Sequence, residues 1–332
     1  MKSAVKKETK IDVPVRADIA GGTSDIAYYL DKYEIKYGAV VNIALPVRIE
    51  ITVSIDESSD EIRVTMPDLN ETIKGDISDL EKQEENNACQ IIKNFLRFFA
   101  LNSKGLNVKI TSKGAVPPAS GLGTSSAIGV GLVRALSEIY GVYGINPCEF
   151  SYLVETSMGM LGGKQDYYAA WLEGLNYIIF SGPDKSLVTV KRNYPSEHKL
   201  YRWVLEKSVI YYTGESRSSG KMNEQFQENI KKDPSVFSKI AQDADRAFKG
   251  IRVKNEEMIA ESINSDRIRH LKLSPLYYSK SMTLMAKVGE ELGYAHRGCG
   301  AGGGGCILFF GDKKNHDILT KKLNKLGGFK IY

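Results

Sequence analysis

The chain has 332 residues, 42% of them hydrophobic and 26% charged, which is typical of a globular protein with one large or two medium domains. Its net charge of +5, from 45 basic and 40 acidic residues, suits a small anionic ligand but excludes the concentrated basic stripe of a nucleic-acid-binding protein. Four cysteines without Cys-x-x-Cys spacing, four scattered histidines and the lack of a signal-peptide core or long apolar run argue against a zinc site and membrane insertion, and predict a cytoplasmic protein.

The first half of the chain alternates between strand and helix patterns. Strands are predicted at residues 11–16, 40–44, 48–55, 61–66, 106–111, 175–180 and 187–191. Helices are predicted at residues 86–102, at 125–140 with Gly141 ending the helix, and after Asn146, which caps the helix that follows. The segment between 111 and 125 therefore joins a strand to a helix.

The second half of the chain is richer in helix. Composition becomes polar and irregular around residues 181–205, which predicts a boundary between a domain at 1–190 and a domain at 191–332. A strand is predicted at 203–212, helices fill 219–292, and an apolar strand at 306–310 precedes a last helix. The sequence leaves open whether the protein is a monomer or a homodimer.

Residues 117–127, Pro-Pro-Ala-Ser-Gly-Leu-Gly-Thr-Ser-Ser-Ala, form a glycine-containing loop that runs into a helix. Glycines let the main chain pass close to a ligand, and amides at a helix start face anions, so the loop predicts a triphosphate site. No lysine follows Gly123, which excludes a Walker A loop. The chain also lacks the His-Arg-Asp and Asp-Phe-Gly strings of protein kinases, which excludes that class. The alternative is a helix start capped by serine or threonine.

Residues 14–25 place a strand, a Gly-Gly turn and a carboxylate in succession. One interpretation puts Arg16 and Asp25 at the mouth of a site, on a phosphate and a substrate hydroxyl respectively. The alternative is that Asp25 caps a helix beginning at Ile26.

Three charged residues between positions 155 and 166 match the needs of phosphoryl transfer from ATP. That reaction needs Mg²⁺, positive charge near the γ-phosphate and a group that accepts the hydroxyl proton. Glu155 can hold the metal, Asp166 can orient or deprotonate the hydroxyl, and Lys164 can balance charge. The alternative is a solvated surface set of charges.

Residues 298–305 contain six glycines in eight positions and precede the strand predicted at 306–310. Such a loop can back a phosphate cleft, because main chain approaches closely where side chains are absent. A Gly-x-Gly-x-x-Gly match at 298–303 leaves a nicotinamide-dependent oxidoreductase as a different class of function. That motif should open a helix, however, whereas this loop opens a strand.

Three of these segments, in this order, resemble the signature motifs of the GHMP small-molecule kinases, which include galactokinases, homoserine kinases, mevalonate kinases and phosphomevalonate kinases. Residues 121–127 resemble the phosphate loop and residues 300–305 the closing glycine loop, and the resemblance covers nearly the whole chain. It implies a two-domain α+β fold, with an N-terminal mixed-sheet α/β domain and a C-terminal ferredoxin-like α+β domain. It also implies ATP and Mg²⁺ as cofactors.

The resemblance implies roles for individual residues. The catalytic group is Asp166, with Arg16 and Lys164 balancing charge, and Mg²⁺ is bound by Ser125 and Glu155. The ATP phosphates are bound by residues 121–126, which are Gly121, Leu122, Gly123, Thr124, Ser125 and Ser126. The substrate is expected to contact Gly22, Asp25, Tyr168, Arg217, Gly302 and Gly303.

Two strings resemble the heptose 7-phosphate kinase branch: Gly-Gly-Lys-Gln-Asp at 162–166 and Tyr-Thr-Gly-x-x-Arg at 212–217. The second makes Arg217 a candidate contact for a phosphate already on the substrate. That branch usually has Gly-Gly-Gly-Thr-Asp, whereas residues 21–25 here are Gly-Gly-Thr-Ser-Asp, so the wall facing the acceptor is altered.

The chain as a whole also resembles the archaeal mevalonate 3-phosphate 5-kinases of the same branch. We therefore expect a small monophosphorylated alcohol as the acceptor, with mevalonate 3-phosphate preferred, mevalonate 3,5-bisphosphate as product and a place in isoprenoid biosynthesis. The alternatives within the superfamily are a heptose 7-phosphate or other sugar phosphate acceptor, an inactive binding module, and an ATP-consuming decarboxylase.

Overall fold

A computed structural model describes residues 7–114, 116–181, 188–215 and 220–332, without the side chains of residues 7 and 220–223. The strands are β1 (Lys7–Ala20), β2 (Gly38–Ile55), β3 (Ile62–Met66), β4 (Glu71–Gly75), β5 (Leu106–Lys113), β6 (Leu175–Phe180), β7 (Val188–Tyr194), β8 (Ser208–Tyr212), β9 (Ala295–Gly298), β10 (Cys306–Phe310) and β11 (Phe329–Lys330). The helices are α1 (Ala27–Lys32), α2 (Ile77–Glu81), α3 (Asn87–Phe98), α4 (Thr124–Tyr140), α5 (Pro147–Ser157), α6 (Gln165–Leu172), α7 (Lys199–Glu206), α8 (Gly220–Lys232), α9 (Ser235–Val253), α10 (Glu256–Leu273), α11 (Lys280–Glu291) and α12 (His316–Asn324).

The larger sheet has the order β4-β3-β5-β2-β6-β7, with β1 also paired to β2. Only β3 and β5 run parallel among its described pairs, so the sheet is mixed. The strands predicted separately at 40–44 and 48–55 are the two ends of β2, which continues through Pro46. Residues 38–43 pair with β6 and residues 48–55 with β5. Proline has no N–H to donate to a neighbouring strand. Pro46 lies between the residues that pair with β6 and those that pair with β5, where no such hydrogen bond is required.

The smaller sheet is antiparallel, with the order β11-β8-β10-β9. Helices α9 and α10 link the two sheets, because α9 packs on β1 and β2 while α10 packs on β1 and β9. Side chains on α10 and β9 therefore reach the end of β1. This packing gives the mixed α+β architecture that the motifs implied.

Most predicted elements are confirmed, and one is wrong. The strand predicted at 203–212 is helix α7 followed by strand β8. Leu200, Tyr201, Val204 and Leu205 are buried at helical spacing, and they run into the apolar strand without a glycine or proline between them. Within the described ranges, no helix is both long and apolar enough to cross a membrane.

Candidate active site

The phosphate loop takes the shape that its glycines permit. Gly121 and Gly123 have φ of 78° and 71°, in the left-handed region that favours glycine. Gly123 is the residue before α4, and no side chain caps that helix. The alternative of a serine or threonine cap is therefore wrong. The first amides of α4 are left available to a ligand.

A cleft of about 320 Å³ joins the phosphate loop to the predicted acid and base residues. It brings together predicted site residues from three distant segments: Arg16, Asp25, Gly121, Gly123, Thr124, Ser125, Ser126, Glu155 and Asp166. The third glycine segment reaches the same cleft through Gly300 and Ala301. The cleft thus unites the segments at 14–25, 117–127, 155–166 and 298–305 that the sequence singled out.

Arg16 and Asp166 form the centre of the cleft. The Arg16 Nη2 and Nε atoms lie 2.6 and 2.7 Å from Asp166 Oδ1. Arg16 Nη1 donates to the Gly121 carbonyl at 2.6 Å, which ties the guanidinium to the phosphate loop. Burial opposes the charge of Arg16, but Asp166 and Asp18 overcome it and raise the pKa of the guanidinium. Asp166 is 24% exposed and stays open to the cleft.

Asp166 also lies directly against the phosphate loop. A Cβ atom at Gly123 would come within 3.2 to 3.3 Å of the Asp166 carboxyl group. The glycine therefore lets the loop main chain approach the carboxylate. A phosphate on the loop and a hydroxyl beside Asp166 would be neighbours.

Glu155 is buried among hydrogen-bond donors. Its Oε1 accepts from Ser125 Oγ at 3.0 Å and from Asn87 Nδ2 at 2.7 Å, and its Oε2 accepts from the Tyr167 hydroxyl. Burial raises the pKa of Glu155, while these donors oppose the shift. Asn87 Nδ2 also lies 2.8 Å from Ser125 Oγ, so one amide bridges the two predicted metal ligands.

Asp25 also lines the cleft and is 2% exposed. Its Oδ2 accepts the Gln165 main-chain N–H at 2.9 Å, and a Cβ at Gly163 would lie only 2.0 Å from it. Burial raises its pKa to about 7, and the nearby Asp166 and Asp18 carboxylates add to the shift. The alternative that Asp25 caps α1 is wrong, because Ile26 precedes that helix and no side chain caps it.

A second cavity of about 320 Å³ adjoins the first. The two share Ala119, Thr124 and Ser125. The second is largely apolar, with lining residues that include Ile49, Met66, Leu69, Ile110, Val116 and Ile128. A flat apolar group attached to a phosphate chain could occupy both cavities at once.

Two predicted site residues, Lys164 before α6 and Tyr168 on α6, contact Glu149 instead of lining the cleft. The Lys164 ammonium lies 2.6 Å from Glu149 Oε2 and 4.7 Å from the centre of the Tyr152 ring. The Tyr168 hydroxyl donates to the same Glu149 at 2.9 Å. Neither Lys164 nor Tyr168 is among the described residues that line the cleft. Tyr168 is two positions from Asp166, which on a helix is a rotation of about 200°.

Three glycines predicted to contact the substrate, Gly22, Gly302 and Gly303, do not line the cleft, whereas residues one to three positions away do. The Gly22 carbonyl faces His270, and Gly302 and Gly303 pack on Tyr277. Their neighbours Thr23, Gly300 and Ala301 line the cleft instead. The glycine run joins β9 to β10, so the strand-to-helix setting of a dinucleotide loop is absent from these described residues. Arg217 lies outside the described residues.

The sequence analysis missed several residues that shape the cleft. They are Thr23, Ile26, Met160, Leu161, Gln165 and Tyr167 in the lining, and Asn87 beside Glu155. Asn87 follows Asn86, which caps α3, so the pair reads as an ordinary helix start. Gln165 and Tyr167 flank Asp166 in the sequence, and their position next to a predicted catalytic residue could have identified them as cleft residues.

One family model matches part of the chain. Residues 86–174 match the model of the GHMP kinases N-terminal domain. The chain is 26% identical to D-glycero-α-D-manno-heptose 7-phosphate kinase of Campylobacter jejuni, over 97% of this chain and 95% of that protein. It is 23% identical to mevalonate kinase of Methanocaldococcus jannaschii, over 85% of this chain and 89% of that protein.

A solved structure supports the same fold. The D-glycero-D-manno-heptose 1-phosphate kinase from Bacteroides thetaiotaomicron superposes with a TM-score of 0.74, covering 97% of this chain and 94% of that one at 21% identity. At that identity the likeness establishes the fold and leaves the acceptor undetermined.

Proposed function

We propose that this chain, a GHMP kinase by its N-terminal domain and its fold, transfers the γ-phosphate of ATP to a hydroxyl of a small sugar that already carries a phosphate. The observation that carries the proposal is the continuous pair of cavities around Thr124 and Ser125. One is apolar and the other holds Arg16, Glu155 and Asp166. This order matches a base, a phosphate chain and a reacting hydroxyl.

ATP would lie across both cavities. Its base suits the apolar cavity, since such surfaces favour flat aromatic groups with few polar contacts. Its phosphates suit the loop at 119–126, where glycine main chain and the start of α4 supply N–H donors. The γ-phosphate would then lie beside Asp166, because the loop touches that carboxyl group at Gly123.

The oxygen donors beside the phosphate loop fit Mg²⁺. Glu155 supplies a carboxylate and Ser125 a hydroxyl 3.0 Å away, and both are hard ligands of the kind that Mg²⁺ prefers. Among the described residues there is no group of three His, Cys or acidic side chains placed to hold a metal, so phosphate oxygens would complete the set. When bound, the ion would neutralise phosphate charge.

Asp166 would receive or orient the proton of the acceptor hydroxyl. The Arg16 guanidinium at 2.6 Å favours the ionised carboxylate, which accepts hydrogen bonds only. Asp166 therefore holds the hydroxyl with an oxygen lone pair toward the γ-phosphate. Arg16 adds positive charge where negative charge moves during transfer. Lys164 is assigned a structural pairing with Glu149 in this scheme.

A heptose 7-phosphate or a related sugar phosphate is the leading acceptor. The relatives support that alternative better than the mevalonate 3-phosphate expected from the sequence, because the match to the heptose 7-phosphate kinase spans both chains. The polar wall of the cleft, formed by Thr23, Asp25 and Gln165, suits a molecule with several hydroxyls.

Mevalonate 3-phosphate remains the second candidate, on one observation. Ile26, Met160 and Leu161 give the mouth of the cleft an apolar edge, and Met160 and Leu161 are 48% and 52% exposed. An acceptor with a methyl branch would cover part of that surface. The same edge would contribute less to a fully hydroxylated sugar.

A coupled ADP-release screen tests the proposal. The acceptors are heptose 7-phosphate, hexose phosphates, mevalonate and its 3- and 5-phosphates, each with ATP and Mg²⁺. We expect release that depends on a sugar phosphate. Release with a mevalonate phosphate alone supports the second candidate, and accompanying CO₂ indicates a decarboxylase. Tight ATP binding without release from any acceptor contradicts kinase activity and indicates a binding module.

A further inference from the structure

Thr23 has a strained backbone at the wall of the cleft. Its φ is 81°, in the left-handed region, although it is a β-branched residue. Residues of this kind adopt that conformation only where their surroundings impose it, and such sites cluster where ligands bind. Thr23 lines the cleft, as does Asp25. The strain and the position together mark it as a residue with a role toward the acceptor.

The surroundings that impose this conformation come from α10. His270 Nε2 lies 3.2 Å from Thr23 Oγ1 and 3.1 Å from the Gly22 carbonyl oxygen. One turn earlier, Asp266 Oδ1 accepts the Gly21 main-chain N–H at 2.8 Å. Asp266 and His270 are buried, so these contacts are shielded from water. Two side chains of one helix thus hold three successive residues of the turn.

The contacts of His270 define the role of its Nε2 atom. Nε2 faces the Gly22 carbonyl, and Nδ1 lies 2.9 Å from the Asp266 carbonyl oxygen. A carbonyl oxygen only accepts, so Nε2 has to donate toward Gly22. Asp266 Oδ2 lies 3.2 Å from Nδ1.

Asp266 is itself held in place by a buried chain of arginine and aspartate side chains. Arg297 Nη1 lies 3.0 Å from Asp266 Oδ2, and Arg297 Nη2 lies 3.8 Å from Asp18 Oδ2. Asp18 in turn lies 3.0 Å from Arg16 Nε, which joins the turn to the centre of the cleft. Positive and negative groups alternate through this buried chain.

A donating His270 Nε2 makes Thr23 Oγ1 a hydrogen-bond acceptor and leaves the hydroxyl proton for another partner. The hydroxyl has no second partner among the described residues. We propose that Thr23 is a substrate-binding residue that donates this proton to an oxygen of the acceptor, and that His270 is a positioning residue that aims it. The oxygen belongs either to a hydroxyl of the acceptor or to its phosphate. This inference rests on the proposed function.

Three substitutions at Thr23 separate its hydroxyl from its shape. Thr23→Val keeps the branched shape and removes the donor, so the KM for the acceptor should rise about 10-fold while the KM for ATP stays unchanged. Thr23→Ser keeps the donor and should stay within about 3-fold of wild type. Thr23→Gly relieves the backbone, so its Tm should equal or exceed that of wild type while its acceptor KM rises as in Thr23→Val.

His270 is tested with a matched control. His270→Phe should raise the acceptor KM as Thr23→Val does, and the double variant should be no worse than either single one, because both remove the same interaction. His270→Gln keeps a donor toward the Gly22 carbonyl and serves if the phenylalanine variant does not fold. His296→Phe changes another buried histidine, which contacts Tyr278 and Glu290, and should leave the acceptor KM unchanged.

The source of the acceptor oxygen is distinguished with heptose 7-phosphate and unphosphorylated heptose. A penalty in Thr23→Val for the phosphorylated sugar alone assigns the phosphate, and an equal penalty for both assigns a hydroxyl. An unchanged acceptor KM in Thr23→Val, with wild-type activity present, overturns the inference and leaves the proposed function standing. Wild-type enzyme that phosphorylates none of the screened acceptors overturns both.

Discussion

The phosphate loop and the acceptor wall are built in opposite ways. The loop at 117–127 is one contiguous segment whose ligand-facing atoms are main-chain amides at the start of α4. The wall around Thr23 and Asp25 depends on side chains that are distant in sequence: Thr23 and His270 are 247 positions apart. The donor side of the cleft is therefore local, whereas the acceptor side needs the two sheets to be packed together by α10.

This difference bears on specificity. Main-chain amides and glycines tolerate little change without losing the phosphate geometry, and they recognise what every ATP molecule shares. Side chains from several elements can be exchanged one at a time, so the acceptor can change while the donor site persists. We expect substitutions at the residues that contact the reacting groups to abolish turnover. Substitutions in the acceptor wall should instead alter the KM for the acceptor or the pH dependence of the reaction.

The largest effect is expected at Asp166, where the two regions meet. Asp166→Asn should lower kcat by about 1,000-fold, because the carboxylate that holds the hydroxyl proton is lost. ATP affinity, measured by isothermal titration calorimetry, should stay within a few-fold of wild type. Glu149→Gln is the control, since Glu149 pairs with Lys164 and Tyr168 outside the cleft. Near-normal kcat in Asp166→Asn contradicts its assignment.

Glu155 tests the donor side alone. Glu155→Gln keeps the shape of the side chain and removes its charge, so kcat/KM for ATP should fall about 100-fold and the Mg²⁺ concentration for half-maximal rate should rise. The KM for the acceptor should not change. A rise in the KM for the acceptor with unchanged ATP kinetics would contradict the assignment of Glu155 to the ATP side of the cleft.

Asp25 tests the acceptor side through pH. With its pKa near 7, Asp25 is protonated below neutrality and accepts a substrate hydroxyl better above it. The acceptor's kcat/KM should therefore fall about 10-fold for each pH unit below 7, and Asp25→Asn should flatten this dependence. A wild-type profile that is flat from pH 5.5 to 8 contradicts this assignment.

The Asp25 carboxyl group affects stability in the opposite direction from activity: rising pH should increase the activity and decrease the stability. The folded protein keeps a proton on Asp25 up to a pH of about 7, whereas the unfolded chain releases it near the ordinary value of 3.8. The contribution of Asp25 to stability is therefore fully present below the unfolded value and is lost as the pH rises toward 7. Thermal unfolding should show a Tm that falls across this range more steeply in wild type than in Asp25→Asn.

Lys164 should give the smallest effect on turnover. Its ammonium is paired with Glu149, so Lys164→Met should change kcat by less than about 3-fold and lower the Tm, because it leaves Glu149 without that charge. If turnover instead fell by roughly two orders of magnitude with the Tm unchanged, Lys164 would be restored as the residue that balances phosphate charge.

The donor side could be predicted from the sequence because its signals are contiguous. The phosphate loop, Glu155, Arg16 and Asp166 each stand in a short motif, and the cleft brings all of them together. Local periodicity likewise predicted most strands and helices. It failed at 203–212, where the helical spacing of α7 passes directly into the apolar strand β8.

The acceptor wall could not be predicted in the same way. In the sequence, His270 is an isolated polar residue in a helix and Arg297 an isolated one before a glycine run. Only the packing of α10 and β9 brings them to the turn at Thr23. On α6, Tyr167 lines the cleft and donates to Glu155, whereas the Tyr168 hydroxyl donates to Glu149, because one helical step turns the two rings in different directions. Tertiary contacts of this kind leave little trace in a single sequence.

Direct detection of the product tests the central claim. Wild-type protein, ATP and Mg²⁺ are incubated with heptose 7-phosphate, and the sugar and nucleotide are identified by mass spectrometry. The account predicts a sugar carrying two phosphates and an equal amount of ADP, with neither formed by Asp166→Asn. ADP without a doubly phosphorylated sugar, or transfer only to a mevalonate phosphate, would contradict it.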